Sequence, residues 1–202
     1  DKLVVFSDKV AEEGGTSVEL RQESIEYIAI SFSDPWDVNS QPDPAEAIKK
    51  ARDYYKDRMQ EKHVRDVFEQ LGDTLRIGEA YGHAIESWRL ALDTAPLHPR
   101  NPRVHQKIID ALADSGDQSG AMDESRALAE AYQKGTDWYA ANETNREAME
   151  SAALLSERSL LAAAKSVHRQ AQLSYQSYQQ SPSPEEKAKY VSLYLKAAEF
   201  YG

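Results

Sequence analysis

Asp37, Asn39, Gln41 and Asp43 place oxygen ligands at alternate positions, the most chemically suggestive run in the chain. A calcium loop spaces its ligands this way, but it also needs glycine at its sixth position and a bidentate glutamate at its twelfth. Pro42 and Ile48 stand there instead, so the run reads as a capped surface loop and no metal is expected. His63, His83, His98, His105 and His168 never fall three or four residues apart on one helix, so zinc-ligand spacing is missing. Without cysteine there is no thiol nucleophile, thiolate ligand or disulfide. Gly14-Gly15 stands alone before polar residues, which is no phosphate loop, and no serine sits in a nucleophile elbow. The expectation is a protein that is not an enzyme and takes no cofactor.

Charge narrows the partners. The 202 residues carry a formal net charge of −10, which disfavours nucleic acid and anionic membrane, because phosphates demand clustered Lys and Arg. No apolar run approaches the ~20 residues that span a bilayer. Asp1 to Phe6 has no basic region, long apolar stretch or cleavage site, so no secretory signal is visible there. That leaves cytoplasm and periplasm both open.

The elements read as helices throughout. Leu3, Phe6 and Val10 mark an apolar stripe over residues 2–12, ended by Gly14-Gly15, with Thr16 or Ser17 to cap the next helix. That helix carries Ile25, Ile28, Ala29 and Phe32. A loop over 33–44 follows, then a helix over 45–59 with Ala47, Ile48, Ala51, Tyr54 and Tyr55 inward. Phe68, Leu71 and Leu75 share one helical stripe, and Tyr81, Ile85, Trp88 and Leu92 share another. Gly72 and Ala84 are small where two helices would cross, and Pro96 stops the second helix. A connector over 97–102 leads to Ile108, Ala111, Leu112 and Ala121, then to an inserted loop over 133–145. A long helix over 146–179 and a last one over 184–200 complete the chain, the last with Tyr190, Tyr194 and Ala197 as its inner face. Trp36 and Trp138 lie in the two inserted loops, each expected to pin its loop to the helices.

Phe68-x-x-Leu71-Gly72-x-x-Leu75 followed by Tyr81-x-x-Ala84-x-x-x-Trp88-x-x-Ala91-x-x-x-x-Pro96 resembles one tetratricopeptide repeat. Leu75 departs from the pattern, since an aromatic is commoner there. The next unit is degenerate, with Ile109 and Leu128 where the family has small residues. The resemblance implies an all-α TPR-like α-solenoid of about four and a half antiparallel helix pairs, wound as a right-handed superhelix. Its units would cover about 1–15 (a half), 19–60, 64–98, 102–135 and 146–202, in one domain. Both ends read as open repeat faces, expected to be covered by further repeats or end-to-end contacts. Tyr27 to Phe32 with its following Trp-Asp loop, Pro96 to Pro99 leading into Pro102 to His105, and Asp137-Trp138-x-x-Ala141-Asn142 are similar to bacterial cell-envelope TPR proteins. Those are relatives of outer-membrane assembly lipoproteins and of surface-motility scaffolds, which implies a periplasmic or envelope location.

In this family the first helix of each pair lines a concave groove. The register places Glu23 and Glu26, then Asp66, Glu69, Asp73 and Arg76, then Arg103, Lys107 and Asp110 on that face. The family's clamp for acidic tails needs Lys, Asn and Arg where the central unit has acids. The expected ligand is therefore a basic or mixed-charge peptide or domain, held by a non-catalytic protein–protein scaffold. The alternative is a recruitment module of a larger enzyme whose catalytic domain lies elsewhere.

Overall fold

The computed structural model describes residues 1–12, 18–34 and 42–201. Helix α1 spans Lys2–Glu12, α2 Val18–Ser33, α3 Pro44–Tyr55, α4 Lys62–Ile77 and α5 Tyr81–Thr94. Then come α6 Asn101–Asp114, α7 Gln118–Tyr132, α8 Asp137–Asn142, α9 Arg146–Gln180 and α10 Pro184–Tyr201. The protein is all-α, with antiparallel pairs α4–α5, α6–α7 and α9–α10 stacked in chain order, as in helical-repeat proteins. The second of the expected pairs is looser, because α2 packs on α4 more extensively than on α3.

Sequence signals account for most boundaries. Asp43 accepts from the backbone N–H groups of Ala45 and Glu46, and Pro44 opens α3 where no donor is needed. Gly116 takes a left-handed backbone (φ 88°) after α6. Asp117 and Asn145 cap α7 and α9 through the N–H groups of Gly120 and Ala148. Helix α3 stops at Tyr55, short of the expected Met59, in a turn where Arg58 N–H donates to Tyr55 O at 2.7 Å.

Apolar stripes from α2, α3, α4, α5 and α6 meet in one core that holds Ile25, Ile48, Tyr55, Phe68, Leu71, Trp88 and Ile108. Gly72 and Ala84 are both buried at the α4–α5 contact. A second core gathers Ile109, Leu128, Tyr132 and Trp138, and a third joins α7, α9 and α10 through Met122, Ala164, Val167 and Phe200. The larger residues of the degenerate unit are thus accommodated in a core of their own.

Helix α1 is rotated from its expected setting. Leu3 and Phe6 face outward while Val4 and Ser7 are buried. Polar anchors fix that rotation. The Asp1 carboxylate receives the hydroxyls of Tyr54 (3.1 Å) and Tyr55 (2.9 Å) and the guanidinium of Arg58 (2.8 Å), with His63 Nε2 at 2.9 Å. On the next turns Asp8 pairs with Arg21. Tyr54, expected inward, is half exposed for the same reason, its hydroxyl turned to Asp1.

Candidate functional site

On α4, Asp66, Glu69 and Asp73 recur at helical spacing and so share one stripe. Each meets a cation from elsewhere in the chain. Arg65 donates to Asp66 at 2.8 Å and also to Glu69. Arg100 reaches Asp66 at 2.8 Å, and Arg21 from α2 reaches its other oxygen at 2.9 Å. Lys107 from α6 bridges Glu69 at 2.8 Å and Asp73 at 2.7 Å. With Asp8 on Arg21, four carboxylates face four cations, and the cluster is formally neutral. Trp88 donates its indole N–H to Glu69 O and Asp73 Oδ1, both at 3.1 Å, which ties α5 into the same cluster.

Burial makes the cluster consequential. Arg65 is 1 % exposed, the only fully buried arginine among the described residues. Burial alone would push the pKa values of Asp66 and Glu69 above the usual carboxylate range. For Asp66 the Arg65 hydrogen bond and the charges of Arg100 and Arg21 more than offset it. For Glu69 the charges of Lys107 and Arg65 do the same. Both acids end below their ordinary values and stay ionised. Glu124 of α7 repeats the device, with burial outweighed by His105, whose Nδ1 is 3.2 Å away, and by Arg89 at 2.8 Å.

Beside this cluster the connector 95–100 is clasped. Asn101 donates to Ala95 O at 2.8 Å and Pro96 O at 3.0 Å. Trp138 donates to His98 O at 2.8 Å, and Asn142 to Leu97 O at 3.0 Å. Trp138 therefore pins its segment as expected, although the segment is not a plain loop. It contains α8, whose N-terminus is capped by Thr136 accepting from Tyr139 N–H. Trp36 and the Asp37–Gln41 part of the calcium-like run lie outside the described residues. Among the described residues no group of three or more His, Asp or Glu could hold a metal ion, and no helix is long and apolar enough to cross a membrane.

His98 sits at the same junction, and burial, helped by the charge of Arg65, holds its imidazole down to about 4 from an ordinary 6.5. Between those values the unfolded chain takes up a proton that the folded protein refuses. His98 thus contributes stability that is fully present above pH 6.5 and is lost as pH falls to about 4. His63, also lowered by burial, acts in the same sense. Partial exposure discounts the effect, so the expected loss from His98 is about 1–2 kcal/mol. Urea unfolding at pH 7.5, 5.5 and 4.5 checks it: His98→Asn should flatten the decline, and an unchanged decline would remove His98 as its source.

Of the nine expected groove residues, Asp66, Glu69, Asp73 and Lys107 are brought together. Arg76 lies a turn further along α4 and pairs with Asp114 of α6 at 2.8 Å. Arg103 pairs with Glu147 of α9 at 2.9 Å, and Asp110 accepts from Gln106 at 2.9 Å. Glu23 and Glu26 are exposed on α2, apart from the cluster. Sequence reasoning missed Arg65, Arg21 and Arg100. Arg65 was findable, since Arg65, Phe68 and Gly72 share one helical face. No family model, curated protein or solved structure matches the chain.

Proposed function

We propose that the chain is a non-catalytic protein–protein interaction scaffold of TPR type that receives a partner polypeptide along the face formed by α2, α4, α6 and α9. The observation that carries this reading is the pattern of α4–α6 contacts. The two helices are bridged by long side chains, Lys107 to Glu69 and Asp73 and Arg76 to Asp114, while their apolar residues enter a shared core below. Such a face is polar, wide and braced from within, the kind of rigid surface that favours preorganised binding. Because the central acids already have cations, a partner would read the remaining charges, Glu23, Glu26 and Asp110, rather than the bare acidic stripe expected from sequence. The partner is accordingly of mixed charge, with basic groups toward α2. An envelope location belongs to this proposal and rests on the resemblance of the Trp-Asp and Leu97-His98-Pro99 segments.

The test is affinity capture with the chain as bait, comparing wild type with Glu23→Lys/Glu26→Lys/Asp110→Lys. A protein retained by wild type and lost with the variant at unchanged melting temperature supports the reading. Equal retention by both would overturn it.

A further inference from the structure

Along one side of the α9–α10 hairpin, large side chains stay exposed. On α9, Leu161, His168 and Tyr175 recur every seven residues and share one row, and on α10 Lys187, Tyr190 and Tyr194 share another. The two rows adjoin through their rings. Tyr194 stands edge-on to His168 at 5.6 Å between centroids, and Tyr175 edge-on to Tyr190 at 5.2 Å. Leu161, Tyr175 and Tyr194 are exposed all the same. Lys165 and Gln172 stand beside the α9 row and are exposed too. The face is therefore not an apolar groove, and an amphipathic helix laid on it would bury a charge and an amide.

Charge sets this face apart from the rest of the chain. The protein carries a formal net charge of −10, yet from Arg158 to Pro184 it has no acid and three cations, Arg158, Lys165 and Arg169. Lys165 and Lys187, one on each helix, are exposed, and no ion pair among the described residues engages them. Of the two acids that open α10, Glu185 lies on the far side of the helix from its row, and Glu186 Oε2 is sealed from solvent. An acidic segment is therefore attracted here and repelled by the acidic remainder of the surface. Spacing narrows its conformation. The α9 row repeats at seven residues, roughly 10.5 Å along a helix. A polyproline II strand returns to the same side every three residues, about 9.3 Å, so successive prolines meet successive members of the row, as in other aromatic-lined sites for that conformation. The tyrosyl hydroxyls offer donors to its carbonyls, which such a strand leaves unpaired.

We propose that this face docks an extended, proline-containing acidic segment of a partner protein. Its prolines lie over Tyr175 and Tyr194, and its carboxylates pair with Lys165 and Lys187. The inference goes beyond the scaffold reading and does not depend on it, since none of these residues belongs to α2, α4 or α6. Single-stranded nucleic acid also stacks on aromatic rings, but it asks for a continuous basic track, and this face offers separate lysines on its two helices.

The test titrates the full chain into a fluorescently labelled peptide of four Asp-Pro-Pro repeats and follows anisotropy. The expected result is saturable binding. A peptide of four Asp-Gly-Ser repeats, with the same charge but no preformed strand, should bind about tenfold more weakly, and four Lys-Pro-Pro repeats should not bind. Lys165→Glu/Lys187→Glu should weaken the acidic peptide about tenfold at unchanged melting temperature, and Tyr175→Ser/Tyr194→Ser should do the same. If the tyrosine variant loses its fold, the lysine variant, changed at two exposed positions, still decides. No saturation, equal affinity for the Asp-Gly-Ser peptide, equal affinity of wild type and the lysine variant, or tighter binding of oligothymidine would overturn the proposal. Should Glu23→Lys/Glu26→Lys/Asp110→Lys lose the peptide while the lysine variant keeps it, the peptide sits on the face of α2, α4 and α6, and the hairpin site falls.

Discussion

Glu69→Lys is expected to lower the unfolding free energy by about 3–5 kcal/mol, the usual cost of leaving a buried charge without its partner. Glu69 is the acid shared by Arg65 and Lys107, with Arg100 at 4.0 Å. A lysine there would set a fourth cation against three, one of them buried where water cannot screen it. Total stabilities run to about 5–15 kcal/mol, so the loss is a large share, equivalent to roughly 10 °C in melting temperature for a chain of this size. The control is Glu147→Lys. That carboxylate is 83 % exposed and pairs with Arg103, so its reversal should cost under about 1 kcal/mol. Thermal unfolding followed by circular dichroism measures both. Similar small losses for the two variants would mean that the α4 cluster behaves as an ordinary solvated face. This result also decides how binding can be probed: reversing Asp66, Glu69 or Asp73 would disturb the fold before it reported on any ligand, whereas Glu23 and Glu26 are free of that confusion.

Trp88→Ala is expected to cost about 3–5 kcal/mol, because it empties a site in the centre of the main core. The indole is fully buried and lies directly over Gly72, where an added Cβ would come within 2.5 Å of Trp88 Cδ1. The glycine is therefore required by one side chain rather than by two backbones in contact. The ring cannot retreat, held as it is by its bonds to Glu69 and Asp73, and its neighbour Ser87 is anchored to Phe68 O at 2.7 Å. Gly72→Val should cost about 1–3 kcal/mol by overpacking, despite the better helix propensity of valine. In the double variant Gly72→Val/Trp88→Ala the losses should fall short of their sum, since the smaller residue vacates the space that valine needs. Urea midpoints of the three variants measure this, and strict additivity would show that the two positions do not touch.

Both predictions bear on what can be read from a chain of residue types. The stripe of Phe68, Leu71 and Leu75 is a local signal, and the helix it implies is present, whereas the caps at Asp43, Asp117 and Asn145 came from the structure. Pairing of α4 with α5 and of α6 with α7 was legible for a related reason, since short turns leave adjacent helices little choice but to fold back on one another. Less legible was rotation. Leu3 and Phe6 look like an inner face, yet one carboxylate at Asp1, gathering groups more than fifty residues away, turns them out. The charge cluster was only half visible: its acids and Arg65 announce themselves by spacing on one helix, while the other three cations arrive from α2, α6 and the connector, and no spacing rule links those. Helix α8 was hidden by its brevity, with Thr136 its main local mark.

The clasp of Trp138 and Asn142 on the connector ties a joint to residues made well after it. Trp138 follows His98 by 40 positions. During synthesis the chain through α7 therefore emerges with the α5–α6 elbow held by Asn101 alone, its His98 and Leu97 carbonyls served by water. Only when α8 leaves the ribosome is the clasp complete, its last two bonds conferred by a six-residue helix on a strap of prolines that precedes it.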